Sequence, residues 1–240
     1  MLPEAASREI YEAWHPSVEN DVSTSDTPWA ALVLRHLKPG ELDDRSVLEI
    51  GCGRGELVRR LVGAVRGPRH LVAADFAQSA VRSGRHRTPD TNGHRVSWAV
   101  GSIQDIPVAD ATFDTVISCE TIEHVVEPMR AMKELHRVLR PGGRLLLTTP
   151  NYLGPMGLYR GYLRLRGRRY TEGGQPICHL TSLPRTLAWM RRAGLTVRTV
   201  EASGHYLPWP GRPPVPVPAL DSIRSLRWFA LHSLVIADKL

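Results

Sequence analysis

The chain is poor in cysteine: Cys52, Cys119 and Cys178 lie far apart and form no CxxC pair. That spacing excludes a disulfide framework and a cysteine zinc site, and it points to a reducing compartment, expected to be the cytoplasm. No apolar run is long enough to cross a bilayer, and the first residues do not read as a secretory signal. No internal repeat is visible. Acids are outnumbered: 24 Asp and Glu face 31 Lys and Arg, with Arg dominant, for a formal charge of +7 and an isoelectric point near 9.8. Such a surplus suits a generic basic surface or an anionic partner such as nucleic acid, a membrane surface or a phosphorylated substrate. An aromatic stacking platform and a separate RNA-binding domain are not visible, which argues against nucleic acid. The expectation is a monomer or homodimer acting on a small molecule.

What the chain does have is one organised stretch, Ser46 to Leu61, reading SVLEIGCGRGELVRRL. Val47, Leu48 and Ile50 suit a buried strand, and Leu57, Val58 and Leu61 recur at helical spacing. Between them Gly51, Gly53 and Gly55 make a turn with room for a ligand, because no Cβ stands in the way. Strand, turn and helix together offer backbone N–H groups and a positive helix end. The pattern is E-x-G-x-G-x-G, with Glu49 inside the strand, and not the G-x-G-x-x-G of a dinucleotide turn. An acid at that place suits an ammonium group rather than a pyrophosphate. Asp75 closes a second apolar run, LVAAD, twenty positions after Gly55. An acid at the tip of the second strand is placed for ribose hydroxyls. An ammonium-binding acid, a ribose acid and a glycine turn describe S-adenosylmethionine.

LEIGCGRG, VAADF, VGSIQDIPVADATFDTVISCETIEHVVEP and ELHRVLRPGGRLLLTTPN follow in order from about Ser46 to Asn151. In order and spacing they resemble the class I S-adenosylmethionine-dependent methyltransferases, of the ubiquinone/menaquinone-biosynthesis type and related small-molecule enzymes. The resemblance implies an α/β fold: a Rossmann-like seven-stranded sheet, mostly parallel with the last strand antiparallel, helices on both faces and a small cap. It implies S-adenosylmethionine as cofactor and S-adenosylhomocysteine as product. The cofactor-binding positions it implies are Glu49, Gly51, Cys52, Gly53, Gly55, Asp75, Phe76, Ser102, Ile103 and Cys119. Phe76 stands where the family puts an apolar side chain against adenine. Ser102 stands where the family commonly has an acid for the adenine amino group, so that contact departs from the pattern.

The chain divides into N-terminal cap helices over 1–40, a cofactor-binding core over 41–151, a substrate-cap insertion over 152–180 and the rest of the core over 181–240. SREIYEAWHPS reads as a short helix, and a second helix starts near Pro28 and stops at Pro39-Gly40. The resemblance implies that such a leading segment caps the cofactor and helps bind substrate, which makes Tyr11, Trp14 and His15 on the first helix substrate candidates, with plain packing onto the domain as the alternative. Tyr152 and Tyr159 are the candidates in the insertion. There, Arg160, Arg164, Arg166, Arg168 and Arg169 form a basic run for phosphate or a membrane surface, or else a solvated helix face. TPDTNGHR reads as a turn-rich loop. MRAMKELHRVLRPGG reads as a helix with Met129, Met132, Leu135, Val138 and Leu139 as its apolar stripe and Pro141-Gly142-Gly143 as the turn after it. The proline-rich stretch 206–219 cannot be regular helix or central strand and reads as a loop or an arm over the active site. IRSLRWFALHSLVIADKL reads as a helix and a last strand.

Chemistry is expected at the ends of the strands. The cofactor's methyl is already activated by its sulfonium, so the protein must place a nucleophile and deal with its proton. An alcohol does not ionise at neutral pH and needs a base or a metal. The fourth strand ends in Cys119-Glu120-Thr121-Ile122-Glu123-His124, and His179 follows downstream. His124, His179 and Glu120 are the catalytic candidates. The cluster is similar to those of two methyltransferase groups, the ubiquinone-biosynthesis O-methyltransferases and the small-RNA 2′-O-methyltransferases. That likeness implies Glu120, Glu123, His124 and His179 as ligands for a divalent ion such as Mg²⁺ or Mn²⁺. A histidine acting alone as base is the competing reading. The leading function is O-methylation of a small-molecule hydroxyl, on a specialised-metabolite or antibiotic-type ring or sugar, including a vicinal diol. An N-methyltransferase on a small amine and an RNA ribose 2′-O-methyltransferase are the alternatives, and a cofactor-binding regulatory protein is the non-enzymatic one.

Overall fold

The computed structural model describes residues 4–17, 27–63, 67–88, 95–168, 170, 175, 179–209 and 212–240. Arg169, Cys178 and residues 89–94 of the expected loop over 88–95 lie outside them. Nine strands are present among the described residues: β1 (Ser46–Ile50), β2 (His70–Asp75), β3 (Arg95–Val100), β4 (Phe113–Cys119), β5 (Leu139–Pro150), β6 (Leu195–Ser203), β7 (Tyr206–Trp209), β8 (Arg212–Pro216) and β9 (His232–Lys239). Seven of them form one sheet in the order β3-β2-β1-β4-β5-β9-β6. β1 is buried along its whole length, as its apolar run requires, with β2 and β4 parallel to it on either side. β9 is antiparallel to both β5 and β6. The strand order runs outward from β1 to β3 and then returns to β4 and β5. The β1–β4 boundary is therefore the point where an open α/β sheet leaves a crevice at its carboxyl ends.

The helices are α1 (Glu4–Ser17), α2 (Pro28–His36), α3 (Glu56–Val62), α4 (Gln78–Arg87), α5 (Pro128–Val138), α6 (Pro155–Leu165) and α7 (Leu183–Arg192). Those on the sheet bury their apolar stripes. α3 contributes Leu57, Val58, Leu61 and Val62, and α5 contributes Ala131, Met132, Leu135 and Val138. α1 sits beside α4, and the Glu12 carboxylate accepts hydrogen bonds from Ser79 N–H at 3.0 and 3.1 Å. A carboxylate on a helix's first turn satisfies an otherwise partnerless donor and favours the dipole. That contact anchors α1 above the ends of β1 to β3. Among the described residues no helix is long and apolar enough to cross a membrane.

Three local expectations are corrected. Leu139 does not close the α5 stripe; it opens β5, paired with Phe113, and the strand runs through Pro141-Gly142-Gly143 with a shift in register. Gly142, at φ 76°, supplies the left-handed residue this irregularity needs. The proline-rich stretch is no loop: β7 and β8 pair antiparallel, Leu207 opposite Val215, as a ribbon separate from the main sheet. In a ribbon of two strands each has an unpaired edge, where a missing proline N–H costs nothing. The helix expected from Ile223 is a 3₁₀ segment, Arg224–Phe229, and a second 3₁₀ segment, Pro218–Ser222, precedes it.

Candidate active site

At the carboxyl ends of β1, β2, β3 and β4 lies a cavity of about 300 Å³. One wall is α1, whose Glu4, Ser7, Tyr11, Trp14 and His15 recur on one helix face and all line it. Trp29 of α2 adds to this wall. Tyr11 packs 5.4 Å from Phe76 and 6.3 Å from His124 between ring centroids, so the helix reaches across the crevice from the β2 side to the β4 side.

The glycines of the turn differ in their reasons. A Cβ on Gly51 would stand 2.2 Å from Thr121 Oγ1, and one on Gly55 2.5 Å from the Trp98 ring. A Cβ on Gly53 would meet nothing within 4 Å, and Gly53 lines the cavity. Gly51 and Gly55 are thus required by packing, while Gly53 keeps space clear. Gly53 N–H donates to Asp75 Oδ2 at 2.9 Å and Ala77 N–H to Oδ1 at 3.0 Å, which locks the carboxylate at the tip of β2.

Among the described residues, two carboxylate oxygens in the cavity wall are buried without a hydrogen-bond partner: Glu49 Oε2 on β1 and Glu120 Oε1 after β4. A buried polar atom without a partner is costly. Burial, and then the charges of Asp75 and Glu56, push the Glu49 carboxyl up to about 8. Glu120 holds a left-handed backbone at φ 46°, a conformation that a non-glycine residue adopts at a cost of about 1–2 kcal/mol. Its Oε2 is 3.5 Å from His232 Nδ1. Strain of this kind gathers at functional sites. Burial raises both the Cys52 and Cys119 thiols well above the usual range, so neither serves as a nucleophile. Burial holds His15 below its ordinary value, opposed in part by Asp75.

Of the cofactor positions expected from the sequence, Glu49, Gly51, Cys52, Gly53, Asp75, Phe76, Ser102, Ile103 and Cys119 line the cavity. Gly55 lies behind the wall against Trp98. This set fits S-adenosylmethionine: a partnerless acid beside a glycine turn for an ammonium, and a fixed acid on β2 for ribose. Glu120 and His124 line the cavity too, and Glu123 sits behind, fully buried. Glu123 Oε1 is 3.5 Å from His124 Nε2, and Oε2 accepts from Thr149 Oγ1 at 3.0 Å. His179 does not join them at the cavity. Its ring donates to Val125 O at 2.7 Å, and only its backbone N–H meets Glu123, at the carbonyl. Among the described residues no three His, Cys, Asp or Glu side chains are placed to hold a metal. Glu120, Glu123, His124 and His179 therefore do not fit a divalent ion.

Of the substrate candidates, Tyr11, Trp14 and His15 face the cavity. Tyr152 and Tyr159 are not among its lining: Tyr152 is buried 4.6 Å beneath the Arg160 guanidinium, and Tyr159 stacks on Tyr162. Sequence reasoning missed Glu4, Ser7, Trp29 and Thr121. Glu4 accepts a hydrogen bond from Ser102 Oγ, which in turn accepts from Gln104 N–H at 3.1 Å. Its one signal was spacing, since Glu4 and Ser7 stand seven and four residues before Tyr11 on the same helix face.

Residues 48–147 match a family described as a methyltransferase domain. Over 107 residues, 45% of this chain, the sequence is 35% identical to a protein of Mycolicibacterium smegmatis named "Probable S-adenosylmethionine-dependent methyltransferase". Over 134 residues, 56% of the chain, it is 28% identical to the ubiquinone/menaquinone biosynthesis C-methyltransferase of Methylobacterium nodulans. The chain spans 38% of the first relative's length and 53% of the second's. Among solved structures, the fold is similar to a Haloferax volcanii methyltransferase determined with the activator Trm112. The TM-score is 0.69 at 19% identity, over 95% of this chain and 97% of that one.

Proposed function

We propose, from the match of residues 48–147 to a methyltransferase domain, that the chain is a class I S-adenosylmethionine-dependent methyltransferase and that it methylates a hydroxyl oxygen of a small molecule. The cofactor, when bound, supplies a methyl group activated by its sulfonium. Glu49 would hold its ammonium, Asp75 its ribose and Phe76 its adenine face. The hydroxyl of the acceptor needs a base, because an alcohol does not ionise at neutral pH. His124 is the group for this: it reaches the cavity wall, and Glu123 behind it steadies the ring and offsets the charge gained with the proton. Glu120 Oε1 offers a second acceptor, so a vicinal diol would find one partner for each oxygen. Aromatic walls from Tyr11, Trp14 and Trp29 suit a ring-bearing acceptor and exclude water from the transfer.

The observation that carries this reading is the presence, in one cavity, of the partnerless Glu49 oxygen and the His124 imidazole. The test is a screen of catechols, sugars and amines with methyl-labelled cofactor, repeated with His124→Ala. Label should appear on a hydroxylated acceptor, with turnover falling by about a hundredfold or more in the variant. Transfer to amines alone, at a rate the variant retains, would overturn it in favour of N-methylation.

A further inference from the structure

Ten of the fourteen exposed large apolar side chains among the described residues lie in two segments, 153–165 and 207–229. So dense a cluster in so little of the chain asks for an occupant. The first segment holds α6. Its inner side buries Met156, while Leu158, Tyr162 and Leu165 recur at i, i+4 and i+7 on an outer stripe, with Leu158 78% and Leu165 89% exposed. The second holds the β7–β8 ribbon and the two 3₁₀ segments, and exposes Leu207, Trp209, Val215, Trp228 and Phe229. The two are joined: α6 packs against β7, and its Gly154 entry abuts the Phe229 backbone.

Charge decides what fits there. Within 153–168 and 206–229 stand seven arginines, Arg160, Arg164, Arg166, Arg168, Arg212, Arg224 and Arg227, and one acid. That acid, Asp221, is engaged with Gly204 N–H and His205 Nδ1. Nearly the whole positive excess of the chain is thus gathered on these elements. Two copies of such a face would repel each other. Phosphates of a nucleic acid would satisfy the arginines and leave the leucine stripe in water. A surface offering both negative charge and hydrocarbon just beneath it satisfies both. Topology also puts the face beside the cavity. α6 leaves the carboxyl end of β5, and the ribbon leaves the carboxyl end of β6, which runs parallel to β5 because both pair antiparallel with β9. Both segments therefore rise from the edge of the sheet that carries the cavity.

We propose that α6 and the β7–β8 ribbon form an interfacial face that docks on an anionic lipid surface. Leu158, Leu165 and Trp209 enter the acyl boundary and the arginines rest among the headgroups. The docking is interfacial, since among the described residues no helix is long and apolar enough to cross a membrane. The inference is independent of which atom is methylated.

Sedimentation with phosphatidylglycerol-containing vesicles, against pure phosphatidylcholine vesicles, tests it. The parent chain should pellet with the anionic vesicles only and be released as salt is raised. Arg164, Arg166 and Arg168 replaced together by Gln should weaken partitioning on the order of a hundredfold, at roughly a factor of five per basic side chain. Leu158→Ser with Leu165→Ser should weaken it about tenfold, and because both side chains are exposed the fold is spared. Binding of S-adenosylhomocysteine by the same variants should equal that of the parent, which separates loss of docking from loss of the cofactor site. Absence of binding to anionic vesicles at low salt would overturn the proposal. So would binding that the leucine changes leave untouched, since electrostatic attraction alone, as to a nucleic acid or an acidic protein, would then account for it.

Discussion

Glu4, the first residue of α1, accepts a hydrogen bond from the hydroxyl of Ser102, in the turn that follows β3. The Ser102 hydroxyl has thereby given its one proton to Glu4, and it accepts from Gln104 N–H. The second oxygen of Glu4 is a charged acceptor on this side of the cavity. The cofactor must run from Glu49 on β1 past Asp75 on β2, which brings its base to the β3 side. Glu4→Gln should therefore weaken S-adenosylhomocysteine binding by about tenfold to a hundredfold, as for a lost charged hydrogen bond. Ser102→Ala should cost less. Equal affinity in Glu4→Gln and parent would remove α1 from cofactor recognition.

The glycine turn gives a contrast within three residues. Gly53→Val should abolish cofactor binding while lowering the melting temperature only by the strain of a side chain at φ 49°. Gly51→Ala and Gly55→Ala place a Cβ into Thr121 and Trp98 and should lose stability first. Thermal melts with and without S-adenosylhomocysteine separate the two cases. A Gly53→Val protein still stabilised by ligand would show that the open space is not the ligand's.

Much of this was legible in the sequence. The strand–turn–helix, Asp75 and the α5 stripe follow from strong local patterns that tertiary context does not override. Tyr11, Trp14 and His15 were legible through the family resemblance, which puts a leading segment over the cofactor, and they line the cavity. Glu4 was not, since which way a short leading helix faces depends on Glu12 meeting Ser79, a contact between distant residues. His179 looked like a partner of His124 by its place after β5, but the path of the chain there turns its ring to Val125. Proline density suggested a loop at 206–219 because propensity does not register that a two-stranded ribbon has edges to spare.

The buried Glu49 gives the free protein a pH signature. Its folded-state value, raised to about 8 from 4.5, means that the folded chain keeps a proton the unfolded chain has released between those values. Stability is thus complete below the unfolded value and falls as pH rises toward 8, by at most roughly 5 kcal/mol. Glu49→Gln should flatten that decline in melts taken from pH 5 to 8. A parent and variant with parallel profiles would show that Glu49 is not held protonated.

His124 and His179 should separate in kinetics. His124→Ala should depress turnover, whereas His179→Ala, whose ring faces Val125 O, should leave it within about threefold. Chelator should leave the parent rate unchanged. Loss of activity with chelator and its return with Mg²⁺ would contradict the placement of these side chains.

Calorimetric titration of S-adenosylhomocysteine into the parent chain and into Glu49→Gln, at pH 7 and pH 8, tests the cofactor site most directly. Below about 8 both Glu49 and the ligand's amino group carry protons, and only one is needed between them. The expected result is binding by the parent with release of a proton, tighter at pH 8 than at pH 7, and at least tenfold weaker binding by the variant with the pH dependence gone. No binding by the parent, or equal binding and equal proton release by both proteins, would contradict the assignment of this cavity and of Glu49 as the group that receives the ammonium.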